Sequence, residues 1–319
     1  MKIIILGATG FLGRETTQAA LRRGHGIVAH GCSSVPAFRS PQIVRTIQTD
    51  LSNAHDTERL VLHEFPDAIV NCTALASARA CAENPVLSEQ LNTDLPGRLA
   101  QLAHHLGARL VHLSSAEVFG TATGPHSHTD NPEPSPGNAF AQAKLAGEKE
   151  ALRHGRSNVT VLRIPLLSGN SHDGTRSFHE RLFALWAHNR ATPLPANEHI
   201  QPLSVTHLAE TLIELCERPN LSGVYHWAGA DATSPHAFAQ RIARHFGLDP
   251  APLVTPADAT SPRDHRLHLH PLQGKLKTHP PTMGQILDEL RVPPQHTAWH
   301  SATTGRAPAP ERLVKGIHF

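Results

Sequence analysis

Apolar and polar positions follow two rhythms along the first half of the chain. Short continuous apolar runs, such as Ile3-Ile4-Ile5-Leu6, are separated by longer amphipathic stretches. This is the pattern of a parallel sheet whose strands are covered on both faces by crossover helices. It predicts strands over 2–6, 27–29, 44–47, 68–71, 109–113 and 159–164, with helices over 13–23, 56–64, 85–106 and 138–153. Gly24 closes the first helix, and a polar loop rich in proline and glycine, 121–137, precedes the last. From Ser168 onward the regularity fades and proline and histidine accumulate, as in a lobe built of insertions. A helix over 203–217 and a strand over 223–227 return to the main sheet, followed by helices over 234–246 and 283–290. The fold class expected is α/β, a doubly wound parallel sheet with a smaller C-terminal lobe. Residues 1–165 form its nucleotide-type domain, 166–290 the lobe and 291–319 a proline-containing tail without a core of its own. No internal repeat interrupts this plan.

Composition narrows the classes. A chain of 319 residues, 39% of them apolar, can bury a large core. With 29 Lys and Arg against 27 Asp and Glu, no basic run is dense enough for a phosphate backbone, so nucleic acid is not an expected partner. The 25 histidines add surface charge below about pH 6.5 and are otherwise read as composition bias. Cys32, Cys72, Cys81 and Cys216 show no paired spacing and read as reduced thiols. The apolar run at 3–6 stops at Gly7, too short for a signal segment, and nothing else approaches a membrane span. The expected setting is the cytoplasm, with no membrane partner.

Candidate chemistry begins at Gly7-Ala8-Thr9-Gly10-Phe11-Leu12-Gly13, between the first strand and its helix. Missing side chains let a backbone approach phosphates there, and the helix start aims free N–H groups at them; the bland alternative is an ordinary tight turn. The end of the second strand, His30-Gly31-Cys32-Ser33-Ser34, lacks the acid that would favour NAD over NADP. Arg14 and Arg39 are within plausible reach of a phosphate, or are simply solvated. Asp50-Leu51 either meets an adenine edge or caps a turn.

These segments, together with Asn71-Cys72-Thr73-Ala74, Asn92, Leu113-Ser114-Ser115-Ala116-Glu117-Val118-Phe119-Gly120 and Phe140-x-x-x-Lys144-Leu145-Ala146-Gly147-Glu148, resemble the extended short-chain dehydrogenase/reductase superfamily. Within it the chain is most similar to the dTDP-dehydrorhamnose reductases and to the regulatory β subunits of methionine adenosyltransferases. Leu162-Arg163-Ile164-Pro165 and Tyr225-His226-Trp227-Ala228-Gly229 resemble the latter in particular. The resemblance spans roughly 1–290. It implies a Rossmann fold binding NADP, or NAD, through Gly7, Thr9, Gly10, Phe11, Leu12, Gly13, Asp50, Leu51, Thr73, Ala74 and Lys144. It further implies that Ser115 bonds the oxygen of a small sugar-like substrate, and that Lys144 holds the nicotinamide ribose. A homodimer paired through the helices over 85–106 and 138–153 is the assembly common in the superfamily.

Two departures from the superfamily's pattern decide how the chemistry is read. Phe140 stands one helical turn before Lys144, where the family carries tyrosine. A phenol there passes a proton to or from substrate oxygen; phenylalanine has none to give. The sole tyrosine, Tyr225, falls in an apolar run and is no stand-in. Either the chain has natively changed or lost its chemistry, or the residue was introduced to trap an ordinary reductase. Glu117, in Ser115-Ala116-Glu117, resembles the glutamate with which nucleotide-sugar dehydratases remove a proton beside a transient ketone. Partial burial in the crevice would raise its pKa toward a useful range; the alternative is a loop glutamate paired with a nearby cation. Ser261-Pro262-Arg263 displaces an arginine of the reductases' Arg-Pro motif. No metal is expected at His265, His268 and His270, although His268 and His270 would share a strand face. Two hypotheses stand. One is an enzyme in which Ser115 and Glu117 manage protons without tyrosine, by dehydration, epimerisation or ketone reduction. The other is a non-catalytic NADP-binding subunit of a partner enzyme, whose tail ends Val314-Lys315-Gly316-Ile317-His318-Phe319.

Overall fold

The computed structural model describes residues 1–127, 134–250, 253–254 and 263–306. Seven parallel strands form the central sheet. They are β1 (Lys2–Leu6), β2 (Gly26–Gly31), β3 (Ile43–Gln48), β4 (Ala68–Asn71), β5 (Arg109–Ser115), β6 (Val159–Ile164) and a seventh, Gly223–His226. Their spatial order, β3-β2-β1-β4-β5-β6-seventh, reverses direction at β1. The C-terminal ends of β1 and β4 therefore open onto the crevice where doubly wound sheets bind ligands. Ile3, Ile4, Ile5 and Leu6 have no exposed surface. Ile3 and Ile5 join a core with α1 (Phe11–Arg22) and the helix Val205–Cys216, while Ile4 and Leu6 join another beneath the helices of the opposite face.

Those opposite helices include α2 (Ala54–Glu64), α3 (Ala78–Glu83), α4 (Pro85–Ser88), α5 (Leu95–Leu106) and α6 (Ala139–Gly155). The single helix expected over 85–106 is broken: a π-helical turn, Glu89–Asp94, separates α4 from α5. The wide turn brings Asn92 inward, where its Oδ1 accepts from Leu75 N (3.0 Å) and its Nδ2 donates to Leu75 O (3.1 Å). Pro96, which has no N–H to donate, then opens α5. The helix α3 and the helix Phe178–Trp186 have no counterpart among the elements expected from the sequence.

A separate apolar cluster gathers from the C-terminal half of the chain. Phe183, Trp186, Phe238, Ile242 and Ile286 meet there, from Phe178–Trp186, Pro235–His245 and Met283–Glu289. Trp299 packs against it from the helix Thr297–Thr304, and His300 Nε2 bonds Phe246 O at 2.8 Å. Val314 to Phe319 lie outside the described residues. Among the described residues no helix is long and apolar enough to cross a membrane.

One carboxylate secures the 275–278 segment to the core. Glu214, its side chain 3% exposed, accepts from Lys277 N, Thr278 N, Thr278 Oγ1 and Arg218. Burial alone would raise its pKa; the hydrogen bonds outweigh it and hold the group down to about 2. A depressed carboxylate contributes stability that is present above its unfolded value and lost as pH falls through the folded one. Glu214→Gln is expected to cost ~2 kcal/mol at neutral pH. In denaturant titrations the gap to the natural chain should close between pH 5 and about 2; a gap independent of pH across that window removes this role.

Candidate active site

The turn after β1 is shaped by what cannot fit. Gly7 has φ +77°, and a Cβ on it would meet Cys72 O and Thr73 Oγ1 at 3.3 Å. A Cβ on Gly13 would stand 2.1 Å from Gly7 O, so the helix can pack this close to the strand only with glycine there. Gly10 N donates to Gly7 O (2.8 Å) and opens α1 with no side-chain cap. The first N–H groups of a twelve-residue helix thus point out of the turn with no capping side chain. Thr9, Gly10 and Phe11 are half-buried along this rim, while Leu12 faces the core. Beside the turn, Thr73 N donates to Asn71 Oδ1 (3.1 Å), and Thr73 Oγ1 is buried with no protein partner. Ala74 follows, half-buried.

His30, which in the sequence marks only a missing acid, braces this turn. Its Nε2 bonds Thr49 O (2.9 Å), which leaves Nδ1 to accept from Gly7 N (3.3 Å), and His30 O accepts from Ala8 N (2.7 Å). Burial lowers its pKa and keeps the ring neutral, as that bonding pattern requires. Cys32, Ser33, Ser34 and Arg39 are exposed, and Arg14 lies over the Phe38 ring, 5.7 Å from its centroid. Asp50 takes a turn role, accepting from Ser52 N (2.9 Å), and Leu51 is core, 2% exposed.

The second half of the site grows from the end of β5. Alternation sends Ser114 under α6, where its hydroxyl bonds the Glu148 carboxylate, and leaves Ser115 half-exposed. Ser115 Oγ accepts from Glu117 N (3.2 Å) at the start of a short helical turn, Ala116–Phe119, so its own proton is free to donate. Glu117 is half-buried, and its Oε2 accepts from Asn138 Nδ2 (3.0 Å). Asn138 Oδ1 also caps α6 at Ala141 N (2.9 Å). One asparagine, with no motif to mark it in the sequence, therefore ties Glu117 to the helix that carries Phe140 and Lys144. Among the described residues, the partner of the Glu117 carboxylate is this neutral amide.

Phe140 is half-buried and Lys144 is 3% exposed, one turn apart on α6. Burial lowers the Lys144 pKa to about 8, against the opposing pull of the Glu148 carboxylate. Tyr225 is 8% exposed in the edge strand Gly223–His226, with Lys275 Nζ 5.9 Å from its ring centroid. The histidine run differs from its expected form. Residues 268 and 270 are in no strand; both are exposed, whereas His265 is buried with Nδ1 3.6 Å from Glu198. Among the described residues no three His, Cys, Asp or Glu side chains converge as metal ligands. Ser261 and Pro262 lie outside those residues, and Arg263 is exposed.

Comparison with known proteins matches this architecture. The chain is 28% identical over 305 residues to the probable low-salt glycan biosynthesis reductase Agl14 of Haloferax volcanii, covering 92% of this chain and 98% of the relative. It is 29% identical over 255 residues to methionine adenosyltransferase 2 subunit beta of Pongo abelii, covering 77% and 72%. Among solved structures, a dTDP-4-dehydrorhamnose reductase from Bacillus anthracis, in complex with NADP, superposes with a TM-score of 0.73 at 20% identity, over 90% of this chain and 96% of that one. The model of the RmlD substrate binding domain family matches residues 1–290, and the chain belongs to that family.

Proposed function

We propose that the chain is an NADP(H)-dependent oxidoreductase, able to use NAD, that acts on a sugar-like ring. The carrying observation is that Ser115 and Glu117, after β5, are tied through Asn138 to α6, the helix that carries Phe140 and Lys144, in a sheet whose β1 ends in the uncapped glycine turn. The turn fits a nicotinamide dinucleotide: Gly7 and Gly13 leave room only for backbone, the α1 N–H groups suit a pyrophosphate, and Thr73 Oγ1 is a buried hydroxyl without a partner. Thr9, Gly10, Phe11 and Ala74 would complete its contacts, and Lys144 its nicotinamide ribose. When bound, the dinucleotide exchanges hydride with a ring carbon. Ser115 would donate a hydrogen bond to the oxygen on that carbon, whose own proton is drawn from or released to solvent water, and Glu117 would take or return the proton on the neighbouring carbon. That division of labour suits a redox-assisted dehydration or epimerisation, with plain ketone reduction as its simpler relative. The names of the relatives, a glycan biosynthesis reductase and a dehydrorhamnose reductase, support the sugar class.

Phe140→Tyr tests this reading on a panel of ketosugars and nucleosides. If protons move without a phenol, the added hydroxyl changes turnover by less than about tenfold. A gain of a hundredfold or more identifies a reductase that has merely lost its acid. The likeness to an adenosyltransferase β subunit supports a second reading, a dinucleotide-binding regulatory subunit. It is favoured if both forms retain the coenzyme and neither turns over any substrate.

A further inference from the structure

The glycine turn is held from the neighbouring strand by one residue, through backbone and side chain together. Ala8 N donates to His30 O (2.7 Å) and Gly7 N to His30 Nδ1 (3.3 Å), while Gly10 N is taken by Gly7 O (2.8 Å). The donors that open α1, from Phe11 onward, are left to face a ligand. His30 thus helps to sort the N–H groups of the turn into those that hold it and those that point out of it.

The ring can do this in one protonation state. Thr49 O can only accept, so Nε2 carries the proton; Gly7 N can only donate, so Nδ1 carries none. The residue is 1% exposed, and burial lowers its pKa below the ordinary histidine range. Asp50, after β3, is the charged group acting on the ring and pulls the other way. Gly7 to Gly10 of the turn and Ile47, its register partner in β3, have no titratable side chain, and Arg14 of α1 is turned to the Phe38 ring.

A second proton changes the contact at Gly7. An imidazolium donates from both nitrogens, so Nδ1–H would oppose Gly7 N–H and one of them must turn away. Gly7 is poorly placed to move alone. Its φ is +77°, its oxygen holds Gly10 N, and that oxygen lies 2.1 Å from where a Cβ on Gly13 would stand. A shift at Gly7 is therefore also a shift at the start of α1.

We propose that His30 is a positioning residue for the coenzyme: its neutral ring accepts from Gly7 N–H and holds the turn in the shape that takes the pyrophosphate, so that the dinucleotide and a second ring proton oppose each other. This rests on the dinucleotide reading above and adds to it a residue and a pH dependence. The phosphates attract a charged ring, but their charge acts across an open, screened crevice, whereas the Gly7 bond is made in contact and lost whole. The bound form then holds the ring proton less tightly than the free form. Affinity is complete above the free-state midpoint and falls as pH drops through it, by up to about tenfold per unit.

Leucine and asparagine share one branched shape at Cγ, and both forgo the bond to Thr49. They differ because asparagine Oδ1, in the place of Nδ1, can accept from Gly7 N. Oxidised NADP is titrated by calorimetry at neutral pH into the natural chain, His30→Leu and His30→Asn. His30→Leu should bind at least about fivefold more weakly than His30→Asn, the cost of one buried donor left unmet, and His30→Asn should stay within about threefold of the natural chain. Equal binding by the two variants overturns the proposal. Ring nitrogen shifts, assigned by their loss in His30→Asn, give a second reading should His30→Leu fail to fold. The Nε2–H tautomer is expected, with a midpoint that falls by about one unit when NADP saturates the protein. The Nδ1–H tautomer, or a midpoint unchanged or raised by NADP, overturns this role. Retention of NADP by none of the three forms would bring down the dinucleotide reading itself; equal retention by all of them leaves that reading standing and removes only His30.

Discussion

Glu117→Gln is expected to lower turnover by at least about a hundredfold while coenzyme affinity stays unchanged, the usual weight of a general acid or base. The substitution is close to isosteric, and the glutamine oxygen can still accept from Asn138 Nδ2, the bond that now fixes the carboxylate. The backbone bond from residue 117 N to Ser115 Oγ is also untouched. Only the capacity to hold and release a proton is lost. The glycine turn lies on β1 and α1, away from the substitution, so its affinity for the dinucleotide serves as an internal control. Steady-state turnover and coenzyme titration on one preparation separate the two effects. Unchanged turnover removes Glu117 from the mechanism; a parallel loss of coenzyme binding shows that the change disturbed the frame instead.

How far the sequence reveals this arrangement depends on whether a residue's role is local. The parallel sheet is legible because a strand buried on both faces must be apolar throughout, as in residues 3–6. The glycine turn is legible because strand, glycines and helix are contiguous. The break in the helix over 85–106 is not, because it depends on Asn92 reaching Leu75, seventeen residues earlier. His30, His112 and Asn138 are hidden for the same reason: their partners Gly7, Asn71 and Glu117 are 23, 41 and 21 residues away. A signal is nevertheless present. Val111-His112-Leu113 and Leu162-Arg163-Ile164 each place a polar side chain between two apolar ones inside a buried strand. A buried polar group must find a partner, so such a residue announces an interaction without saying with what. Glu117 shows the converse limit. Its place after β5 suggests a carboxylate facing the crevice, and only the structure reveals the Asn138 amide bonded to it.

Glu148→Ala should be the most destabilising of the substitutions considered, at about 3–5 kcal/mol, because it strands a buried cation. Arg163, its side chain 8% exposed, donates Nε (2.9 Å) and Nη2 (2.6 Å) to the two Glu148 oxygens, and Glu148 is 2% exposed. Ser114 bonds the same carboxylate, and the guanidinium lies 5.1 Å from the centroid of Phe119 in the turn that carries Glu117. The pair thus joins β5, β6, α6 and the Ala116–Phe119 turn. Most of the loss arises from the unpaired guanidinium rather than from any large net worth of the pair. It follows that Glu148→Leu combined with Arg163→Met should recover the greater part of that stability in urea denaturation. A double variant as unstable as the single one would mean that the ion pair itself, not its desolvated remnant, holds this corner together. Activity need not follow stability in the rescued protein. Glu148 also favours the charged form of Lys144, so its removal should lower the Lys144 midpoint below about 8 even where the fold is restored.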